Sequence, residues 1–240
     1  LFTEDPYFKE SVKVTVYFSL LAVIGSMIYS LIVALLLNRE IPARGFFRAV
    51  FYLPYVLPAT AVYIGWSWLY NTEWGLFNYI LSKLGIERLM FVSSSSQVVP
   101  ALALIAVWLS GNLIVIFLAG LQNVPRVYHE AAQIDGANSW QRFWNVTVPS
   151  MTPIIFYNML MALITNMQVV TPALALTKGG PGKSSYFISY MLYNYAFKQR
   201  GKLGLACAIA FVLFLLIGAF TLILFATSKS WIFYEGGDSK

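Results

Sequence analysis

Five runs of apolar residues dominate this chain. Each is at least as long as the roughly 20 residues that a helix needs to cross a bilayer. They lie near 14–37, 49–70, 98–121, 150–177 and 203–227, and no Asp, Glu, Lys or Arg sits in the central part of any of them. A charge there would cost about 2.5–3.5 kcal/mol, so five clean runs in one chain predict a polytopic membrane protein. Composition agrees. The 240 residues are 59% hydrophobic and 11% charged, against about 45–50% and about 25% in soluble domains.

Several function classes are excluded by what the chain lacks. Cys207 is the only cysteine and His129 the only histidine. No disulfide can close within the chain, and neither a histidine-based triad nor a Cys/His metal cluster can be assembled. We expect no catalytic residue, no metal ligand and no nucleic-acid partner. The formal charge of +6 reads as loops lying against lipid headgroups. The chain opens on Leu1-Phe2-Thr3-Glu4-Asp5, with no Met and no signal-peptide pattern.

Aromatic residues mark the ends of runs, as at a membrane interface: Trp66, Trp68, Tyr70 and Trp74 cluster at the end of the second, and Trp231, Phe233 and Tyr234 follow the last. Pro54, Pro58, Pro153 and Pro172 interrupt the second and fourth runs and predict kinks packed against neighbouring helices or a cavity. Residues 75–81 read as a short amphipathic helix on the surface, and 93–96 as a polar linker. No internal repeat is evident. Sidedness is ambiguous from charge alone. Arg39, Arg44 and Arg48 make the first loop basic, with Arg126, Arg142 and Lys229 on the same side, yet Lys178, Lys183, Lys198, Arg200 and Lys202 fall opposite.

The segment 123–149 reads as helix, turn, helix. Pro125 suits a first helical position, Gly136 the left-handed residue past a helix end, and Asn138 or Ser139 the cap of the next helix. Pro149 and Pro153 mark the start of the fourth run. The first helix is about ten residues, or roughly 15 Å, too short to span. Ala131, Ala132, Gly136 and Ala137 keep it slim, while Arg126, Glu130, Asp135 and Arg142 supply charged handles. That is the form of a docking knob tied to two membrane helices.

The spacing Glu130-Ala131-Ala132, then Gly136, then Val146-x-Val148-Pro149 resembles the EAA loop of bacterial importer permeases, with Val at two positions where the family has Ile and Leu. Leu176-Thr177-Lys178-Gly179-Gly180-Pro181 resembles the Leu-Thr-x-Gly-Gly-Pro signature of the maltose-type sugar branch. Asp5-Pro6-Tyr7-Phe8 and residues 75–81 resemble external segments of the same branch. The resemblance covers essentially the whole chain. It implies an all-α type I ABC importer transmembrane domain, a single permease domain over residues 1–240, with five spans present and an N-terminal sixth missing from this sequence.

The resemblance further implies a second permease subunit in a heterodimer, an ATP-binding cassette ATPase dimer beneath, and an external solute-binding protein, all at the bacterial inner membrane. The partner ATPase would use the ATP, and this chain would bind no cofactor. Glu130, Ala131, Ala132, Asp135, Gly136, Ala137, Val146, Val148 and Pro149 would form the contact with the ATPase, and the loop would be cytoplasmic. No Gly-x-x-x-x-Gly-Lys-Ser/Thr phosphate loop is present. A neutral sugar needs uncharged polar groups in a wet cavity, so Asn112, Asn166, Gln168 and Thr171 are substrate-pathway candidates, with interhelical hydrogen bonding as their other use. Tyr63 and Trp66 are weaker ones. Other cargoes (a glycerophosphodiester, a polyamine) or a secondary transporter remain alternatives, although intramembrane charges for an ion relay are absent.

Overall fold

A computed structural model describes residues 6–199 and 201–233. Residues Leu1 to Asp5, Arg200 and Tyr234, used above, lie outside the described residues. Among the described residues all regular structure is helical: α1 Phe8–Asn38, α2 Arg44–Val56, α3 Ala59–Leu69, α4 Leu76–Lys83, α5 Val98–Trp108, α6 Gly111–Asn123, α7 Arg126–Ile134, α8 Ser139–Arg142, α9 Val148–Met167, α10 Ile188–Tyr193 and α11 Leu203–Ser228.

The 31 residues of α1 make a rod of roughly 46 Å, and α5, α6 and α9 pack around it. Two sequence stripes explain this placement. Ser11, Thr15, Ser19, Ala22, Ser26, Ser30 and Ala34 are buried, while Leu20, Ile24, Ile28, Ile32 and Leu36 are exposed. Residues four apart share a face. One face is thus small enough for close backbone approach, and the other is greasy and turned outward. In lipid, close packing and interhelical hydrogen bonds replace the hydrophobic effect as the glue between helices. Thr15 supplies one such bond: its Oγ1 donates to Ser11 O at 2.7 Å and accepts the Ile188 N–H at 3.0 Å, satisfying a free amide in the first turn of α10.

Three helices are each long and apolar enough to cross a bilayer: α1, the continuous helix Ser139–Met167, and α11. The other two apolar runs are bent. α2 meets α3 at 98° and α5 meets α6 at 48°. The first bend falls at Leu57-Pro58. Proline withholds an amide and disfavours helical backbone in the residue before it, and Leu57 is extended at φ −68°, ψ 145°. The second falls at Ser110, whose Oγ lies 2.6 Å from Val107 O and 2.9 Å from Ser30 Oγ, pinning the bend to α1.

The fourth run differs most from the sequence expectation. The helix starts at Ser139, inside the loop, and ends at Met167. The chain then breaks over residues 168–170, turns helical again at Thr171 and Pro172, and makes one wide turn, Ala173–Thr177. Pro149 and Pro153 do not stop the helix. A π turn over Phe143–Thr147 precedes Pro149, with the Val148 amide on Phe143 O, and such widening absorbs the carbonyls that a proline displaces. Thr152 Oγ1 donates to Pro149 O at 2.7 Å, the carbonyl that Pro153 leaves without an amide, and Ser150 Oγ donates to Val146 O at 2.8 Å. Side-chain hydroxyls thus supply donors to the carbonyls of this stretch.

At the far end of the bundle an aromatic cluster closes the α3–α4–α5 region. Tyr70 stacks on Phe91 at 4.6 Å, with Trp66 and Phe77 beside it, and its hydroxyl donates to Ala101 O at 3.0 Å. Residues 75–81 fall largely within α4, with Gly75 as its N-cap. Asn78 anchors that helix, donating to Leu89 O at 2.8 Å and accepting from Leu89 N at 2.9 Å.

Gly120 marks where α6 and α9 touch, since a Cβ there would overlap the Ile154 side chain. Gly120→Val should destabilise the bundle by about 1–3 kcal/mol, the usual result of overpacking, seen as a lower thermal midpoint in detergent. An unchanged midpoint would refute the α6–α9 contact.

Candidate functional site

Two places gather the residues singled out by the sequence. The first is the loop between α6 and α9. Pro125 is the N-cap of α7, not its first helical residue. At the other end Asp135 is the C-cap and Gly136 follows at φ +82°. The Gly136 amide donates to Gln133 O at 3.1 Å and the Ala137 amide to Ala132 O at 2.9 Å. This is the double closure of a Schellman motif, which needs a left-handed residue at the position Gly136 holds. Asn138 then caps α8 in a full capping box with Gln141, at 2.9 and 2.8 Å. Arg142 reaches back to Gln133 Oε1 at 3.5 Å and across to Ser139 Oγ at 3.2 Å. The turn is therefore fixed by backbone and side-chain bonds on both flanks.

Ala131, Ala132 and Asp135 line a cleft with Val146 and Pro149, and Phe233 stands at its edge. The small alanines leave that space open. Glu130 and Gly136 are exposed and outside the cleft, as are the half-buried Ala137 and Val148. Apolar side chains project from the same knob: Ile134 is 87% exposed and Trp140 68%. A soluble surface rarely shows so much unpartnered apolar area on so short a segment, and such area marks an interaction surface. The sequence reading missed Phe233 in this role. Its amide donates to Thr152 Oγ1 at 2.9 Å, so the segment after α11 folds onto the base of α9.

The second place is a cavity of about 400 Å³ among α1, α3, α5, α6 and α9. Asn112 and Asn166 both line it, joined by Ser26, Tyr63, Ser110 and Thr165. No charged residue is in its lining. Asn166 Nδ2 donates to Ala162 O at 2.8 Å, within its own helix. Gln168 and Thr171 do not line the cavity; Gln168 caps the end of α9, and Thr171 starts the helical segment on the far side of the break. Trp66 belongs to the aromatic cluster instead. Asn158, not singled out from sequence, is fully buried and donates to Leu113 O at 3.4 Å, linking α9 to α6. Ser26, Ser110 and Thr165 carried no signal in the sequence, because serines and threonines inside apolar runs are common and usually bond their own helix.

Among the described residues no group of His, Cys, Asp and Glu could hold a metal ion. An uncharged polar cavity within a bundle of membrane helices, beside a rigid knob outside it, defines a transport subunit. The family described as "Binding-protein-dependent transport system inner membrane component" matches residues 16–230, and the chain belongs to it. This is a non-catalytic permease component of a binding-protein-dependent ABC importer. The chain is 37% identical over 239 residues to the "Probable ABC transporter permease protein YesP" of Bacillus subtilis, covering 98% of this chain and 77% of that one. It is 34% identical over 214 residues to the "Trehalose/maltose transport system permease protein MalF" of Thermococcus litoralis, covering 89% and 72%. The fold matches the crystal structure of a bacterial ABC transporter involved in import of the acidic polysaccharide alginate. There the TM-score is 0.80 at 21% identity, over 94% of this chain and 80% of that one.

Asn138→Ala should remove the cap of α8 at a cost of about 1 kcal/mol, raising amide exchange across 139–142 about fivefold by hydrogen–deuterium exchange. Exchange equal to wild type would show that the capping box does not hold the turn.

Proposed function

We propose that this chain is the permease of an ATP-driven importer of sugars or oligosaccharides in a bacterial inner membrane. In this reading the α7 loop is cytoplasmic and docks in a groove of a partner ATPase. A second permease completes the channel as a heterodimer, and an external solute-binding protein delivers the cargo. The partner ATPase binds and hydrolyses the ATP.

The observation that carries this reading is mechanical. The helix leaving the knob is unbroken from Ser139 to Met167, and its far end brings Thr165 and Asn166 into the cavity. A displacement of α7 is passed to α8 through the fixed Gly136–Asn138 turn, then along one rod to the groups that would touch solute. ATP-driven closure of the ATPases would swing the two loops and open the cavity outward, and ADP release would reverse the motion. The uncharged lining favours a neutral polyhydroxyl solute. A polyamine would call for carboxylates and a phosphodiester for a cation. The trehalose/maltose-system relative supports the same class of cargo.

Glu130→Lys and Gly136→Pro should abolish copurification of the ATPase while the subunit still inserts. Retained ATPase in both variants would sink the docking assignment. Asn112→Leu and Asn166→Leu should leave ATPase binding intact and lower sugar uptake by about tenfold or more, the usual effect of a lost polar contact in a desolvated site. Wild-type uptake in both variants would remove the cavity from the pathway. A cognate binding protein that retained only amino acids would refute the sugar reading.

A further inference from the structure

The basic loop after α1 takes no part in the knob or the cavity. The C-terminus of α1, the N-terminus of α2 and the C-terminus of α6 meet there. Arg44 Nε donates to Leu37 O at 2.6 Å and its Nη2 to Asn38 O at 3.3 Å, so Arg44 closes the last turn of α1. Arg48 lies one turn further along α2. With the Gln122 amide oriented by its donors, the side-chain oxygen accepts from Arg48 Nη2 at 2.9 Å and Arg44 Nη2 at 3.2 Å. The Nε of Arg48 is buried and has no partner among the described residues. No carboxylate there forms an ion pair with either arginine; the ion pair among the described residues is Lys13 with Glu10.

Arg48 lines a cleft of about 230 Å³ between α2 and α6, walled by Tyr52, Ile114, Val115 and Leu118. Phe46, Phe47, Val50 and Leu53 are exposed along α2, an apolar surface suited to acyl chains. The site thus pairs a guanidinium with no ion-pair partner, within a turn of two helix ends, with an apolar slot between α2 and α6. We propose that this cleft binds the phosphate of an anionic phospholipid, with Arg48 on the phosphodiester oxygens and the apolar walls holding the start of an acyl chain. Basic pockets between membrane helices are suited to such headgroups, and a guanidinium matches phosphate better than an ammonium does. The apolar walls favour a lipid over free phosphate. The inference is independent of the cargo and of the ATPase contact.

The test uses the assembled transporter, purified in mild detergent and supplied with mixed phosphatidylglycerol and phosphatidylcholine, with retained lipid counted by native mass spectrometry. Wild type should retain phosphatidylglycerol selectively. Arg48→Gln should retain about tenfold less, the loss of a charge-assisted contact, and Arg48→Lys should recover part of it. Ala119→Phe keeps Arg48 and fills the cleft from an exposed position, and it should also lose the lipid. Equal retention by Arg48→Gln and wild type overturns the proposal. So does displacement by inorganic phosphate, which assigns the site to the free ion. Exclusive crosslinking from a photoreactive residue at 119 to another polypeptide also overturns it, because a protein then covers the cleft.

Discussion

The small-residue face of α1 sets how closely α5, α6 and α9 can stand. Ser19, Ala22, Ser26, Ser30 and Ala34 are buried along it, and α5, α6 and α9 pack against that rod. Larger side chains there would push the neighbours apart and open the cavity to lipid. The bond between Ser30 and Ser110 ties the bend of the α5–α6 pair to the same face. That bend places Asn112 in the cavity wall. A packing constraint written in α1 thereby fixes the position of a polar group on another helix.

Breaks in the apolar runs are the second determinant. A straight helix through 49–70 would give a lipid-facing column with no inner surface. The Leu57-Pro58 break turns the chain through 98° and brings both Tyr55 and Tyr63 to one cavity. By contrast, the prolines at 149 and 153 fall where hydroxyls and a π turn can absorb them, so the helix continues. The same residue type breaks one run at Pro58 and leaves the other whole at Pro153, where Thr152 Oγ1 takes the carbonyl that the proline displaces.

Much of this architecture was legible in the sequence. Charge-free runs locate the membrane segments because the penalty for a buried charge is large. The loop grammar was legible too: Gly136 is left-handed and Asn138 caps, since both positions depend on local backbone chemistry. Asn112 and Asn166 share the cavity as polar groups excluded from lipid should. Gln168 and Thr171 do not, and the reason is local. The helix ends at Met167, so the two residues beyond it no longer share the rod that carries Asn166 to the cavity. Pro172 hinted at a break, but where the helix stops depends on tertiary packing. Ser26 and Ser110 were illegible for another reason: their role depends on which helix they face, and spacing within one run does not encode that.

The knob and the cavity are joined by one continuous helix, Ser139–Met167. A flexible loop would absorb a push on α7 as rotation about its own bonds. Here the turn between α7 and α8 is closed at Gly136 by two backbone bonds and at Asn138 by two side-chain bonds. Arg142 adds a brace to Gln133. The ladder of the rod is widened at the π turn Phe143–Thr147, directly beside the cleft lined by Ala131, Ala132 and Val146. A helix that must bend under load bends where its ladder is already widened. The cleft therefore lies over the joint, and a rigid partner filling it would splint that joint and convert its own motion into displacement of the whole rod.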